Sequence, residues 1–360
     1  MPSSTSNSEQ SSSERVDLAH DDGARDDDAM SRARARSLDH GARALAYFLV
    51  ALALSEVGAR ALDYRPSVTD DARLFALARA RANDEGAVVV LGKSRAQLAL
   101  DPDVWRSALP DRPLVMLARH GESAWAVLDD LARDEGFSGT VLFSFTEEDL
   151  TRGAREQARA IVDESARASS VFARGETALR AVVESQLAIA NPQLSLPNLV
   201  ESFASTGARP TPHFTVTRAD RTQAADFSRT DAAALRAHYE RVRADADRRL
   251  GGRPVDDVRW LVEAREVLPV VERLTARGAR VVFVKFLHCD EADRASERWF
   301  PRASFFDVIA REAGVPALHY RDLEGWSAFS CPDSNHLDER DAPAFTARFV
   351  EALRGRGLVE

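Results

Sequence analysis

The sequence predicts an α/β fold in which helices cover both faces of a central parallel sheet. From about residue 64 onward, short apolar segments alternate with helical segments, which is the pattern of repeated strand–helix units. The apolar segments are nearly uninterrupted, as expected for strands that are buried on both faces. With 360 residues, 44% of them hydrophobic, the chain can form one large domain and an additional N-terminal region.

Five segments are predicted to be the strands of this sheet: Ala87–Leu91, Pro113–Leu117, Thr140–Phe145, Ala279–Phe286 and Pro316–Tyr320. Helices are expected at Asp71–Ala82, Ala124–Asp134, Ala154–Ile189 in one or two pieces, Asp231–Leu250, Asp257–Ala276, Phe305–Ala313 and Ala342–Arg354. The segment 191–230 contains four prolines and is predicted to be a long excursion or lid without regular elements. The expected architecture is a three-layer sandwich around five parallel strands.

The N-terminal region is predicted to have two parts ahead of the domain of residues 64–360. Residues 1–41 are rich in Ser, Asp and Arg and are expected to form a disordered tail. Residues 42–63 contain the apolar run Ala44–Leu54, which is shorter than the roughly 20 residues that span a bilayer but is extended by the residues after it. Arginines precede this run and favour a signal anchor with the domain outside the cytoplasm. A cleaved signal peptide and an amphipathic helix of a soluble protein are the alternatives.

Composition argues against two classes of protein. The formal net charge is -9, whereas a nucleic-acid-binding protein needs clustered Lys and Arg that face the phosphates. Cys289 and Cys331 are the two cysteines of the sequence, and they lack the spacing of zinc ligands. We therefore expect no nucleic acid, no metal ion and no cofactor.

The segment Val88–Ser94 is predicted to present a serine at the end of the first strand. Gly92-Lys93-Ser94 is not a phosphate-binding loop, because that motif requires a glycine at position 87, which is alanine, and a flexible loop where a strand is predicted. Ligands of open parallel sheets bind beyond the carboxyl ends of the strands, and Ser94 lies there. Its backbone N–H, at the start of a helix, would point at a developing oxyanion. The alternative role is a helix N-cap.

An acid and a histidine lie three residues apart near the end of the chain, at Asp333 and His336. They belong to the loop after the last predicted strand, so they are expected at the same edge of the sheet as Ser94. A serine becomes a good nucleophile when a base takes its proton and a carboxylate orients that base. The alternative is an aspartate that caps a helix and a solvated histidine. The three residues together predict a Ser-His-Asp site.

These motifs resemble the SGNH (GDSL-type) hydrolase superfamily over roughly residues 85–355, and in particular its membrane-anchored bacterial branch, which includes alginate O-acetyltransferase-like proteins. The resemblance implies that Ser94 is the nucleophile, His336 the base and Asp333 its orienting acid. It also implies that the backbone N–H groups of Ser94 and Gly121 bind the oxyanion. The sequence departs from the family pattern at Lys93, where the family has aspartate.

A second departure concerns the family's Gly-x-Asn-Asp block, which we do not find after the fourth predicted strand. One oxyanion donor is therefore missing, or it is replaced by Lys285 or His288. Losing one such donor typically lowers the rate by roughly 10²–10³.

Further residues are expected to line the pocket or to support it. Lys93 and Arg95 flank the serine and would make the mouth cationic, which suits an anionic polysaccharide or an acyl donor. Arg119 and His120 follow the second strand and either line the pocket or lie in solvent.

Cys289 and Cys331 are expected at the same end of the sheet. They form either a disulfide that stabilises the loop of Asp333, by about 4 kcal/mol in the chain-entropy estimate, or a pair of free thiols. A bridge would agree with a domain outside the cytoplasm.

The function that the sequence predicts is a membrane-anchored serine esterase or O-acyltransferase that acts through an acyl-serine on a polysaccharide or lipid of the cell envelope. Its expected partners are an acylated carbohydrate or lipid and, through the N-terminal helix, the membrane. Two alternatives remain open: a catalytically impaired binding or scaffold component of the envelope with the same fold, and an unrelated soluble α/β protein. The sequence does not indicate an oligomeric state.

Overall fold

The computed structural model describes residues 22–154, 159–168 and 170–359. The chain forms two compact units that divide after Gly58. The second unit contains a five-stranded sheet and the helices that cover it. We number the strands β1 Val88–Leu91, β2 Leu114–Met116, β3 Thr140–Ser144, β4 Thr215–Thr217, β5 Gln223–Ala225, β6 Arg280–Lys285 and β7 Ala317–His319.

The central sheet has the strand order β2-β1-β3-β6-β7, and all its strands are parallel. Each of the five predicted strands is present, within two residues of its predicted ends, so the predicted fold class is confirmed. Alternate residues of each strand belong to two different cores. Val89 and Phe143 belong to one core, and Val90 and Leu142 belong to the other, because successive side chains of a strand point to opposite faces.

Helices of the second unit cover both faces of the sheet. In the described ranges the helices of the chain are α1 Asp22–Ala61, α2 Ala72–Ala80, α3 Ser94–Ala99, α4 Pro102–Ala108, α5 Trp125–Arg133, α6 Arg159–Arg167, α7 Val171–Gln186, α8 Leu196–Thr206, α9 Ala232–Leu250, α10 Asp257–Ala264, α11 Leu268–Thr275, α12 Asp290–Trp299, α13 Phe306–Ala313 and α14 Ala342–Gly355. Of these, α1 as far as Gly58 belongs to the first unit. The predicted helix Ala154–Ile189 corresponds to α6 and α7, with residues 155–158 and 169 outside the described ranges. The sequence patterns did not predict α4, α8 or α12.

The prediction that residues 191–230 lack regular elements is wrong. This segment contains α8 and an antiparallel hairpin of β4 and β5. Two of its prolines, Pro192 and Pro197, lie in the first turn of a short 3₁₀ helix and of α8. A proline in that position costs no helical hydrogen bond. The prolines therefore mark helix starts, and the irregular appearance of the sequence comes from short elements.

The helix α1 begins earlier than the composition indicates. Residues 22–41, which were expected to belong to a disordered tail, are helical, and residues 1–21 lie outside the described residues. The stretch 22–41 contains no proline and is rich in Ala and Arg, which are good helix formers. The part Arg36–Ala61 contains an 18-residue window with a mean hydropathy of 1.5, and by length and composition it could cross a membrane.

Candidate active site

Ser94 is presented by a tight turn between β1 and α3. Strand β1 ends at Leu91, and Ser94 is the first residue of α3. Between them, Gly92 has so little space that an added Cβ would lie 3.0 Å from Ala96 Cβ and 3.1 Å from Ser144 Cβ. Glycine at position 92 thus lets the chain enter α3 directly at the carboxyl edge of the sheet. Since β1 lies between β2 and β3, where the strand order reverses, Ser94 stands at the place where such sheets form their ligand crevice.

Asp333 and His336 belong to a compact turn between β7 and α14. Asp333 Oδ1 accepts hydrogen bonds from the backbone N–H groups of Asn335 and His336, each at 2.8 Å. Ser334 between them has a φ of +63°, a conformation that is uncommon for residues other than glycine. The Ser334 hydroxyl accepts a hydrogen bond from Arg243. The turn holds the acid and the histidine side by side.

The side chains of Ser94, His336 and Asp333 form one hydrogen-bonded chain. Ser94 Oγ lies 2.8 Å from His336 Nε2, and His336 Nδ1 lies 2.8 Å from Asp333 Oδ2. The three residues are 9%, 6% and 1% exposed. An ionised carboxylate can only accept a hydrogen bond, so the proton of a neutral His336 lies on Nδ1 and Nε2 is left to accept the serine proton. This is the arrangement that turns a serine hydroxyl into a nucleophile.

The environment of Asp333 keeps its carboxyl group ionised. Burial by itself would raise the pKa of Asp333, but hydrogen bonds from the His336 side chain and from the backbone N–H groups of His336 and Asn335 outweigh burial and lower that pKa below its usual value. The acid therefore remains a hydrogen-bond acceptor for the imidazole at neutral pH.

Arginine side chains hold the loop that carries the acid and the histidine. Arg95, one residue after the serine, donates to the backbone carbonyl of Asn335 at 3.3 Å and also to its side-chain oxygen. On the other side, Arg236 of α9 donates to the carbonyl oxygens of Cys331 and Pro332, at 2.8 and 3.1 Å. These contacts join α3 and α9 to the same loop.

A disulfide also holds this loop. It joins Cys289 and Cys331, whose Cα atoms are 5.7 Å apart. Both cysteines are almost fully buried. Since Cys289 directly precedes α12, the disulfide connects the segment after β6 to the loop of Asp333.

The serine and the histidine open into a cavity of about 330 Å³, which we call the main cavity. Each strand of the sheet except β7 contributes residues from its carboxyl end, and α9 and the final loop complete the lining. The lining residues are Lys93, Ser94, Arg95, His120, Gly121, Ser144, Phe145, Thr146, Glu148, Asp149, Tyr239, Lys285, Phe286, His288, Asn335 and His336.

The residues that the sequence predicted to line the pocket do line this cavity, with the exception of Arg119. The Arg119 side chain is paired with Glu122 at 3.0 Å and is not part of the lining. The two residues are three positions apart in a turn, so the glutamate holds the guanidinium close to its own backbone. Gly121 and His120, from the same turn, do line the cavity.

The two lysines of the cavity are neutralised by buried carboxylates. Lys93 Nζ lies 2.7 Å from Asp149 Oδ1, and Lys285 Nζ lies 2.5 and 2.7 Å from the Glu147 oxygens. Burial raises the pKa of Glu147, although Lys285 opposes this. Both carboxylates belong to the segment that follows β3. Since they neutralise the two lysines, the mouth of the cavity is less cationic than the sequence indicates. Lys93 therefore gives no reason to expect an anionic substrate.

Two further histidines of the cavity are held in the neutral form. Burial, with a smaller contribution from His336, lowers the pKa of His120, and burial together with Arg95 and Lys285 lowers the pKa of His288 well below its usual value. The His120 ring centroid is 6.4 Å from that of His336. Neither histidine is therefore a source of positive charge at neutral pH.

Sequence reasoning missed the contribution of the segment after β3. Thr146, Glu148 and Asp149 line the main cavity, whereas the sequence predicted site residues only after the other strands. The rule that parallel strands present their carboxyl ends at one edge was sufficient to find them. Tyr239 of α9 also lies near the site, with its ring centroid 6.0 Å from that of His336. The sequence could not predict this position, because the strand pattern does not determine where α9 packs.

Within the described ranges, no group of three or more His, Cys, Asp or Glu side chains is arranged to hold a metal ion. No protein-family model and no curated protein sequence matches the chain. Among solved structures, the crystal structure of TesA is similar, with 12% sequence identity, a TM-score of 0.34 and coverage of 75% of this chain and 98% of that chain. A TM-score this low does not establish a common fold.

Proposed function

We propose that the protein is a serine esterase or O-acyltransferase of the SGNH type that acts through an acyl-serine intermediate. The observation that carries this proposal is the hydrogen-bonded chain from Ser94 through His336 to Asp333, with 2.8 Å at both steps. A serine at the start of a helix and an imidazole 242 residues later in the chain have no structural need to meet in a cavity. Their arrangement fits acyl transfer to and from a serine.

In the proposed reaction, Ser94 Oγ attacks the carbonyl carbon of an ester while His336 Nε2 takes the hydroxyl proton. The resulting imidazolium is stabilised by the Asp333 carboxylate. When the tetrahedral intermediate collapses, the C–O bond to the alcohol breaks and His336 returns the proton to the leaving alcohol. Water or a second alcohol then attacks the acyl-serine by the same steps, which gives hydrolysis or acyl transfer respectively.

Backbone N–H groups are the proposed oxyanion donors. Ser94 is the first residue of α3, so its N–H has no acceptor within the helix. Gly121 lines the cavity beside it and has a φ of +72°, which suits a glycine that turns its N–H toward a ligand. The sequence offered Lys285 or His288 as a replacement for a missing oxyanion donor; Lys285 is paired with Glu147, and His288 lines the cavity. The oxyanion site of the proposal thus consists of Ser94 and Gly121.

We place the reaction at a membrane, outside the cytoplasm, on an acylated carbohydrate or lipid of the envelope. The apolar part of α1 supports the membrane attachment, and arginines before it support this orientation. The Cys289–Cys331 disulfide supports the same location, because disulfides persist in oxidising compartments. The resemblance to alginate O-acetyltransferase-like proteins supports a sugar hydroxyl as the acyl acceptor.

Labelling with a fluorophosphonate probe tests the proposal. Such a probe reacts with a serine that a neighbouring base has activated, so we expect the full chain to be labelled and the Ser94→Ala variant to be unlabelled. Ser144→Ala is the matched control, because Ser144 lines the same cavity and is expected to leave labelling intact. If the wild-type chain stays unlabelled by several such probes, the catalytic proposal is wrong and the binding or scaffold role replaces it.

A further inference from the structure

A second, smaller compartment of about 200 Å³ adjoins the main cavity, and we call it the side compartment. The two spaces are adjacent, because they share six lining residues: Arg95, Thr146, Glu148, Tyr239, His288 and Asn335. Ser94 and His336 line the main cavity but not the side compartment. The side compartment is therefore the space next to the one into which Ser94 opens.

The side compartment differs from the main cavity in the character of its walls. The residues that line it alone include Val242 of α9, Ala292 and Trp299 of α12, and Phe300. Three of its charged residues have partners: Glu147 is paired with Lys285, Arg243 donates to Ser334 Oγ, and Arg95 donates to Asn335. The fourth, Glu148, is exposed to solvent. The main cavity, by contrast, has a mixed lining, in which most side chains carry a polar or charged group.

We propose that the side compartment binds the acyl chain of an ester whose polar alcohol part occupies the main cavity. This inference rests on the proposed function, because attack by Ser94 divides an ester into an acyl part and an alcohol part. Burial of an apolar chain is favourable by about 0.8 kcal/mol for each CH₂ group that leaves water. The side compartment offers apolar walls for such a chain at Val242 and Phe300. The substrate class is an ester of a short fatty acid, longer than acetate, with a polyhydroxylated alcohol.

The length of the acyl chain is limited by small side chains of α12. Ala292 and Ser296 line the side compartment and are four residues apart, so they lie on the same face of the helix. Ser296 is partly exposed and Ala292 is buried. A larger side chain at position 296 would fill part of the compartment and leave the main cavity open.

The test compares the hydrolysis of 4-nitrophenyl hexanoate and 4-nitrophenyl acetate by the full chain. We expect Ser296→Leu to lower the hexanoate-to-acetate ratio of kcat/KM by about tenfold or more, since a methylene group that a pocket cannot accept costs roughly this factor. Val242 lies on the α9 side of the compartment and is 48% exposed. Val242→Trp would reduce the space from that side, so it is also expected to lower the hexanoate-to-acetate ratio. Arg294→Leu is the matched control, because Arg294 is exposed on α12 outside the compartment. The control should keep the wild-type ratio.

A binding measurement separates this inference from the proposed catalysis. In the Ser94→Ala chain, calorimetry with N-hexanoylglucosamine and N-acetylglucosamine is expected to show tighter binding of the hexanoyl compound and loss of that difference in Ser94→Ala/Ser296→Leu. If this difference is seen but the wild-type chain hydrolyses no ester, the acyl compartment stands and the proposed function is wrong. If esters are hydrolysed but neither Ser296→Leu nor Val242→Trp changes the chain-length ratio, the acyl compartment is wrong and the proposed function stands.

Discussion

The Asp333 carboxylate has two structural tasks, one for each oxygen. Oδ1 closes the turn by accepting the N–H groups of Asn335 and His336, and Oδ2 accepts the imidazole N–H of His336. The carboxylate is almost fully buried, so its charge depends on these hydrogen bonds for stabilisation. Folding and the orientation of the histidine therefore depend on the same ionised group.

This dual role leads to a prediction about pH. Folding lowers the pKa of Asp333 below 3.8, its ordinary value in an unfolded chain. The ionised carboxylate therefore contributes its full stabilisation to the fold when the pH is above about 3.8. The stabilisation is lost as the pH falls from about 4 through the lower folded-state pKa. We expect Asp333→Asn to reduce the free energy of urea unfolding markedly at pH 6, and the deficit to shrink by pH 3.

Asp103→Asn removes an exposed carboxylate and serves as the control, with a small deficit at both pH values. A deficit for Asp333→Asn that stays constant or grows as the pH falls would contradict this account.

At the residue scale, the sequence predicted that Ser94, His336 and Asp333 lie together, as they do, but it did not predict the ionic neighbours of this group. Ser94 and the Asp333–His336 pair follow predictable strands, so their placement at one edge of the sheet follows from topology alone. The pairing of Lys93 with Asp149 and of Lys285 with Glu147 depends on how the loop after β3 folds over the sheet. Nothing in the local sequence encodes that path, so the sequence overestimated the positive charge of the cavity at Lys93.

Among the elements, α9 is the one whose position the sequence could least predict. Its residues 232–250 include no buried side chain, so no apolar stripe indicates what it packs against. Polar contacts hold it instead. Arg236 binds the carbonyl oxygens of the loop before Asp333, and Asp247 binds Arg298 and Trp299 of α12. These contacts place Tyr239 beside His336 and let α9 form one wall of the side compartment.

The disulfide acts at the same scale, and its removal has a predictable cost. Cys289 and Cys331 are 42 residues apart in sequence, and a crosslink of that length stabilises a fold by about 4 kcal/mol in the chain-entropy estimate. We expect Cys289→Ala/Cys331→Ala to lower the free energy of urea unfolding by about that amount. The matched comparison is the wild-type chain refolded with a reductant, which should be destabilised to a similar extent. Equal stability of the oxidised wild type and the double variant would show that the crosslink contributes nothing.

For the whole molecule, the sequence predicted the fold class correctly because buried parallel strands are continuous apolar runs. It missed the hairpin β4–β5 and α8, because short elements leave few periodic residues and prolines at helix starts resemble breaks. It also placed the start of the N-terminal helix too late. Composition distinguishes apolar from polar segments, whereas the helix of Asp22–Ala61 continues through both.

The proposed membrane orientation can be tested with single cysteines, because both native cysteines are bridged. Val258→Cys introduces a thiol in the domain at a position that is 72% exposed, and Met30→Cys introduces one before the apolar span at a position that is 58% exposed. In intact spheroplasts we expect an impermeant maleimide to label the former and to reach the latter only after lysis, because the arginines before the span favour the cytoplasmic side. The reverse pattern, or recovery of the full chain in the soluble fraction, would refute the orientation.

The separation of 242 residues between the serine and the histidine affects biosynthesis. A ribosome incorporates Ser94, the proposed nucleophile, long before it completes the turn of Asp333 and His336 that would activate it. A nascent or prematurely terminated polypeptide would thus carry an inert hydroxyl, and reactivity toward esters would begin only after the late segment has folded onto the sheet. The order of synthesis would in this way protect the cell that makes the protein from its unfinished chains.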